Sequence, residues 1–313
     1  MRVHFWGVRG SIPTPLTPIQ YKNRIAAIIQ RITPKDLESE DTREKFINDL
    51  PLWLKSTIGG NSSCVELVTD DNQFFIFDGG SGLRELNKEF AGIEAPIIHM
   101  FFSHFHWDHI QGIPFFETIY NKKATLHIYS PWPAQRKILA RQMSFPYFPA
   151  KWEDTNSPKI FYHTIKNNKT IMIGDCEISC NKMYHPGNSY SYTVKENGKK
   201  FCYATDVELS AVTWQESKKN KEFFKNTDFM ILDAQYTVEE LNEKPNWGHS
   251  SFCHCVDMAV EWGIKKLYLF HHEPRYDDKK IYTILQTAQW YADSIKAKDL
   301  EIFVATEETD ILI

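Results

Sequence analysis

Short runs rich in β-branched and aromatic residues recur along the whole chain, at positions 2–8, 63–69, 73–78, 97–103, 125–130, 176–184, 190–195, 200–205, 228–233, 266–271 and 301–305. Several are apolar throughout, the pattern expected of strands covered on both faces. Apolar residues at helical spacing fall between some of them, at 83–90, 134–143, 252–262 and 279–296. Strands followed by helices, with hairpin-like pairs in the middle, predict sheets with outer helical layers.

Residues 15–55 break this rhythm. Ile25, Ile28, Ile29 and Ile32 recur at helical spacing, a charged stretch follows over 36–44, and Phe46, Ile47, Leu50, Trp53 and Leu54 form a second amphipathic pattern. The segment reads as a helical insertion before the Gly59-Gly60-Asn61 turn, within an otherwise single domain spanning 1–313. A packed helical hairpin is the simplest account, and a lid or a homodimer contact is the functional one. The stretch 131–158, rich in Pro and aromatics, suits an ordered loop or short helical excursion near a pocket rather than a flexible linker.

Composition narrows the function classes. The chain has 313 residues with 36 basic and 40 acidic side chains, a net charge of −4. That balance gives no general pull toward polyanions, although a local basic patch is compatible with it. The lysines at 195–200 and 218–225 alternate with acids and polar residues, as on a solvated edge. Neither a signal peptide nor a run of about 18 apolar residues is visible, and the six cysteines follow no dense disulfide spacing. The expectation is a cytoplasmic protein with reduced thiols and no membrane partner.

The most informative stretch is Ser103-His104-Phe105-His106-Trp107-Asp108-His109, directly after the apolar run ending at Phe102. Spacing of two points His104 and His106 the same way at a strand end, and a turn brings Asp108 and His109 alongside. Imidazole and carboxylate donors suit zinc, manganese or iron, and gathering so many buried polar groups without a cation is costly. Further donors stand where other apolar runs stop: His185, Asp206 and His271. Together these seven form a plausible two-metal set.

On these residues the sequence resembles the metallo-β-lactamase superfamily, whose His-x-His-x-Asp-His signature is matched by His104, His106, Asp108 and His109. The likeness extends from Val8-Arg9-Gly10-Ser11 through Asp78-Gly79-Gly80-Ser81-Gly82 to the C-terminal part, with the 15–55 segment outside it. It implies an α/β fold, the αββα four-layer sandwich, with metals at one edge between the sheets. It also implies that His104, His106 and His185 bind one metal, that Asp108, His109 and His271 bind the other, and that Asp206 bridges them. Gly248-His249-Ser250-Ser251, followed by the stretch ending His271-His272-Glu273-Pro274-Arg275-Tyr276, resembles the closing region of ribonuclease Z and of the cyclic-phosphate phosphodiesterases of phosphonate metabolism. His272 is a rival to His271 by one register.

The implied activity is that of a dinuclear metal-dependent phosphodiesterase acting on a nucleotide-like or cyclic phosphate ester. Two divalent ions about 3.5–4 Å apart, most simply zinc, with manganese or iron as substitutes, would hold a bridging hydroxide. Asp108, Asp206 and His249 are the expected catalytic residues, with His249 meeting the leaving oxygen. Arg275 is a candidate substrate contact or a surface salt bridge, Asn61 a candidate substrate contact or part of a polar turn, and Asp78 suits either the orienting of a ligand histidine or a simple turn or helix N-cap. No Gly-Pro-rich basic arm of the kind ribonuclease Z uses to grip transfer RNA is present, so a small phosphodiester is favoured over RNA. A thioesterase or lactonase of the same fold, and a noncatalytic metal-dependent sensor, are the alternatives. Cys253-His254-Cys255 lies in a helical pattern without a second cysteine pair, which reads as packing. Phe145, Tyr147, Phe148 and Trp152 suit either a pocket that stacks a base or ordinary packing.

Overall fold

The computed structural model describes residues 1–155, 159–210 and 212–313. Among these, fourteen strands make two seven-stranded sheets. The first contains β1 (Arg2–Gly7), β2 (Cys64–Val68), β3 (Phe74–Phe77), β4 (Ile97–Phe101), β5 (Thr125–Ser130), β6 (Ile160–Thr164) and the C-terminal β14 (Asp310–Leu312), in the order β14-β1-β2-β3-β4-β5-β6. The second contains β7 (Thr170–Ile173), β8 (Cys176–Lys182), β9 (Tyr190–Glu196), β10 (Lys199–Ala204), β11 (Phe229–Asp233), β12 (Lys266–Phe270) and β13 (Glu301–Val304), in the order β13-β12-β11-β10-β9-β8-β7.

The helices are α1 (Pro18–Ile29), α2 (Glu40–Asp49), α3 (Leu52–Lys55), α4 (Leu83–Phe90), α5 (Gln135–Gln142), α6 (Trp214–Lys219), α7 (Lys221–Phe224), α8 (Val238–Glu243), α9 (Phe252–Trp262) and α10 (Asp278–Ser294). Two cores explain the layering. Val65, Leu67, Phe75, Phe77 and Phe101 of the first sheet join Ile178, Tyr192, Phe201 and Tyr203 of the second. The alternate residues Ile76, Ile98 and Met100 turn outward onto Leu83 and Leu86 of α4 and Leu139 of α5. Period-two strands buried on both faces therefore need helices on the outside, and α9 and α10 cover the second sheet in the same way through Phe252, Cys255 and Ile281. The result is the αββα sandwich expected from the sequence.

Three strands and three helices lie outside the pattern read from the chain. β6 and β7 flank a polar connection, and β14 has only three residues, paired to β1 through Arg2↔Leu312 and His4↔Asp310. Edge strands this short carry too few apolar positions to announce themselves. Helices α6–α8 are each six residues or shorter. The 15–55 segment folds as α1, a single tight helical turn at Pro34–Leu37, α2 and α3. It is anchored where Arg24 donates to Asp278 at 2.6 Å, beside the buried Arg9–Asp278 pair at 3.1 Å. The stretch that begins at Pro131 contains α5 and a helical turn at Trp152–Asp154, and its last three positions, 156–158, lie outside the described residues. Among the described residues no helix is long and apolar enough to cross a membrane.

Candidate metal centre

The parallel pairings β3–β4, β10–β11 and β11–β12 bring the C-terminal ends of these strands to one edge of the sandwich. Ligands gather outside such ends because the backbone groups there no longer have ladder partners and loops diverge. Asp78 follows β3, the 103–109 stretch follows β4, His185 follows β8, Asp206 follows β10, Asp233 ends β11 and His271 follows β12. Asp78, Asp206 and His271 have φ of +59°, +55° and +59°, and Ser11 has φ +61°. Left-handed backbone at non-glycine residues costs about 1–3 kcal/mol each and persists where the surroundings over-determine it. Here it turns three side chains off three strand ends toward one point.

The donors fall into two sets. His104, His106, His185 and Asp206 have ligand atoms within 4.8 Å of one another, and so do Asp108, His109 and His271. Asp206 reaches both. Its Oδ2 lies 3.5 Å from His104 Nε2 and 3.6 Å from His185 Nε2, while its Oδ1 lies 3.2 Å from His109 Nε2 and 3.4 Å from His271 Nε2. Asp108 Oδ2 is 3.3 Å from His109 Nε2 and 3.2 Å from His271 Nε2. His106 turns Nδ1 inward, 3.2 Å from His185 Nε2. Its ring is the exposed one, at the mouth of the site.

Four of the five cluster histidines, all but His106, are held from behind. His109 Nδ1 donates to Asp78 Oδ2 at 2.8 Å, His185 Nδ1 to the Gly248 carbonyl at 2.8 Å, and His271 Nδ1 to Gln235 Oε1 at 3.0 Å. His104 Nδ1 lies 3.0 Å from Ser103 Oγ, which itself donates to Asp78 Oδ2 at 2.7 Å. A proton fixed on Nδ1 leaves the Nε2 lone pair aimed inward, the tautomer a metal ligand needs. Of the two readings of Asp78, the geometry matches the orienting of a histidine, and the carboxylate also accepts from Ser103 N and Tyr203 OH, both at 2.8 Å.

The residues fit a divalent cation. His104 Nε2 and His109 Nε2 are buried without a hydrogen-bond partner, a costly state that a Lewis acid would relieve. Burial lowers His104, His106 and His185, keeping them neutral and able to donate a lone pair. Burial works to raise the Asp108 and Asp206 carboxyls, but the facing His109 and His271 outweigh it and hold both well below the usual range. The reverse holds for the partners. Burial works to lower His109 and His271, and the carboxylates override it, lifting His109 well above its ordinary value and His271 to about 9. A site whose anions pull protons onto histidines at neutral pH is one that attracts cations.

All seven expected ligands thus come together. His271 rather than His272 is the one in the cluster, since His272 Nε2 pairs with the Ala305 carbonyl at 3.1 Å. His249 stacks on His271 with ring centroids 4.8 Å apart, and its Nδ1 donates to Asp233 Oδ2 at 2.7 Å. Arg275 is 85% exposed, 3.7 Å from Glu273. Asn61 is turned to the chain itself: Nδ2 donates to Glu307 at 3.0 Å and Oδ1 accepts from Ser81 at 3.0 Å. The cysteines of Cys253-His254-Cys255 take no part in any metal-capable cluster among the described residues, and Cys255 Sγ donates to the Asp233 carbonyl at 2.9 Å.

Three contributors were not singled out from the chain. The Ser11 amide donates to Asp108 Oδ2 at 2.8 Å, a backbone group that leaves no trace in residue type. Asp233 and Gln235 orient His249 and His271. Asp233, a carboxylate closing an apolar run, carried the same signal that marked Asp206.

The comparisons agree with this geometry. A family model described as the beta-lactamase superfamily domain matches residues 75–272, more than half of the chain. The protein belongs to the beta-lactamase superfamily. It is 21% identical over 288 residues to a ribonuclease Z of Treponema denticola, covering 74% of this chain and 89% of that protein. Among solved structures, the short form of human tRNase Z superposes with a TM-score of 0.61 at 17% identity, covering 100% of this chain and 99% of that one. A diphosphatase of the PhnP family superposes with a TM-score of 0.57 at 16% identity, covering 100% and 97%. Family, fold and donor set define a metal-binding hydrolase of the ribonuclease Z-like branch, phosphodiesterase-like in its chemistry.

Proposed function

We propose that the protein is a dinuclear phosphodiesterase whose substrate carries a nucleoside on one side of the scissile phosphate. The observation that carries the reading is the divided carboxylate of Asp206, one oxygen toward His104 and His185 and the other toward His109 and His271. That is the arrangement of a bridging ligand. His104, His106 and His185 would hold one cation and Asp108, His109 and His271 the other, zinc being the simplest choice for this nitrogen-rich set. Bound there, the pair would supply Lewis acidity and ionise water near neutral pH.

The chain's own residues do the rest. Asp233 fixes the His249 tautomer so that Nε2 faces the site and delivers a proton to the departing oxygen. The Ser11 amide and Ser62 Oγ, which donates to the Asp108 carbonyl at 2.8 Å, keep Asp108 from swinging away. Arg275 at the rim is assigned to a further anionic group of the substrate. The ribonuclease Z named among the relatives gives RNA more weight than the absence of a basic arm did, so both RNA ends and small nucleotide esters belong in the assay. The six unbridged cysteines, five of them buried, accord with a cytoplasmic setting.

The test is metal content together with a substrate panel. Protein reconstituted with zinc or manganese should hold two ions per chain and cleave bis(p-nitrophenyl) phosphate, with no turnover of a thioester or a lactone. Asp206→Ala should lose metal and hydrolysis together. A single bound ion with full turnover, or turnover of carbonyl substrates alone, would reject the proposal.

A further inference from the structure

Beside the metal centre lies a cavity of about 600 Å³ bounded by Trp107, Phe115, Arg141, Gln142, Tyr147 and Phe148, among others. Its wall is continuous with the ligand loop, because Trp107 is the residue between His106 and Asp108. Gln111, also on the wall, donates to Ser62 Oγ at 2.6 Å, and Ser62 in turn holds the Asp108 backbone.

Single exposed apolar side chains are common on protein surfaces, whereas a contiguous exposed set marks a binding surface. Trp107 is 75% and Tyr147 80% exposed. Among the described residues neither ring stacks on another aromatic ring, whereas Phe115 and Phe148 brace each other edge to face at 5.7 Å. The turn carrying Tyr147 is not loose, since the Tyr147 and Phe148 amides both donate to the Ser144 carbonyl, at 2.7 and 3.1 Å. The cation is also unspent. No carboxylate lines the cavity, and Arg141 forms no ion pair among the described residues. Gln142 belongs to the wall itself, its Nε2 donating to the Ile110 carbonyl at 2.8 Å.

Exposed aromatic rings beside an unpaired guanidinium are the chemistry that recognises a nucleobase next to a phosphate. A merely apolar guest would make no use of the cation. We infer that this cavity is the nucleoside subsite: the base stacks on Trp107 and Tyr147, and Arg141 meets a neighbouring phosphate. This rests on the phosphodiesterase reading and specifies which side of the centre the nucleoside occupies.

The test compares metal-loaded protein on thymidine 5′-(p-nitrophenyl phosphate), methyl p-nitrophenyl phosphate and hexyl p-nitrophenyl phosphate, with saturation-transfer NMR of uridine 5′-monophosphate alongside. The nucleoside ester should be preferred. Tyr147→Ala should cut that preference by about 5- to 150-fold, the usual span for one stacked base. Tyr147→Phe should restore it, and saturation of the base protons should fade in Tyr147→Ala alone. Arg141→Gln should raise KM for the nucleoside ester. Equal use of all three esters without transfer to the base would overturn the subsite and leave the hydrolase reading standing. An equal gain for the hexyl ester would overturn base recognition. Saturation transfer to the base that disappears in Tyr147→Ala, with no ester cleaved by any form, would support the subsite and sink the hydrolase reading instead.

Discussion

Asp233 Oδ2 stands 2.7 Å from His249 Nδ1, and the same carboxylate accepts from the Val207 amide at 3.2 Å and, through Oδ1, from the Gln235 amide at 3.1 Å. One buried side chain therefore sets the orientation of the proposed proton donor and the start of the segment that positions His271. A positioned acid of this kind contributes about 100- to 10,000-fold. His249→Ala should lower kcat on a phosphodiester by that order while metal content, read by elemental analysis, stays close to wild type. Asp233→Asn should move kcat in the same direction by less, because an amide retains part of the geometry but no longer favours the Nδ1–H tautomer.

Asp78 is more structural in its consequences. Ser103 N, Ser103 Oγ, His109 Nδ1 and Tyr203 OH all converge on its two oxygens in the fully buried interior. Removing the acceptor leaves several buried donors unpaired at once, as when one partner of a buried network is deleted, which costs about 3–5 kcal/mol. Asp78→Ala should lose that much in urea unfolding and bind zinc about 10- to 100-fold more weakly by competition titration.

A glycine supplies a third test. Gly248 has φ +86°, and a Cβ built on it would lie 2.1 Å from His185 Nδ1, the atom its own carbonyl holds. Only a missing side chain lets the backbone approach the imidazole this closely. Gly248→Ala should displace His185 and reduce the metal stoichiometry, while Gly198→Ala, whose Cβ would meet nothing within 4 Å, should leave it intact.

Much of the site is legible in the chain alone. His104, His106, Asp108 and His109 are close in sequence, so their convergence needs only a strand end and a turn. His185, Asp206 and His271 could be found because each interrupts an apolar run where a buried strand must stop. Ser11 was invisible because its contribution is a backbone amide, made available by a left-handed residue that no local pattern requires. Gln235 was missed for a related reason: a polar side chain two positions past a strand has no periodic signature, and only the fold brings it to His271. The short strands β7 and β14 escaped because sheet pairing, rather than their own few apolar residues, stabilises them.

The first sheet also carries a row of imidazoles that the centre does not use. His99 is buried on β4, 3.1 Å from Tyr129 OH through Nδ1, and stacks on His127 at 4.9 Å, whose Nδ1 is 2.9 Å from His163 Nε2. Burial, and then the facing His127 and His163, lower His99 to about 4. In the unfolded chain it titrates near 6.5. Between these values the unfolded state binds the extra proton, so stability should be full above about pH 6.5 and fall as pH drops toward 4, by on the order of 3 kcal/mol from this group. His99→Phe should keep the ring in the stack and remove the titration, while giving up the Tyr129 hydrogen bond, which is independent of pH in this range. The difference in unfolding free energy between the two proteins should therefore change across pH 4–6.5, the variant gaining on the wild type as acid is added. The pH dependence of the metal centre cancels in that difference, since it is common to both. A difference that stays flat across the window would show that His99 is protonated alike in the folded and unfolded states.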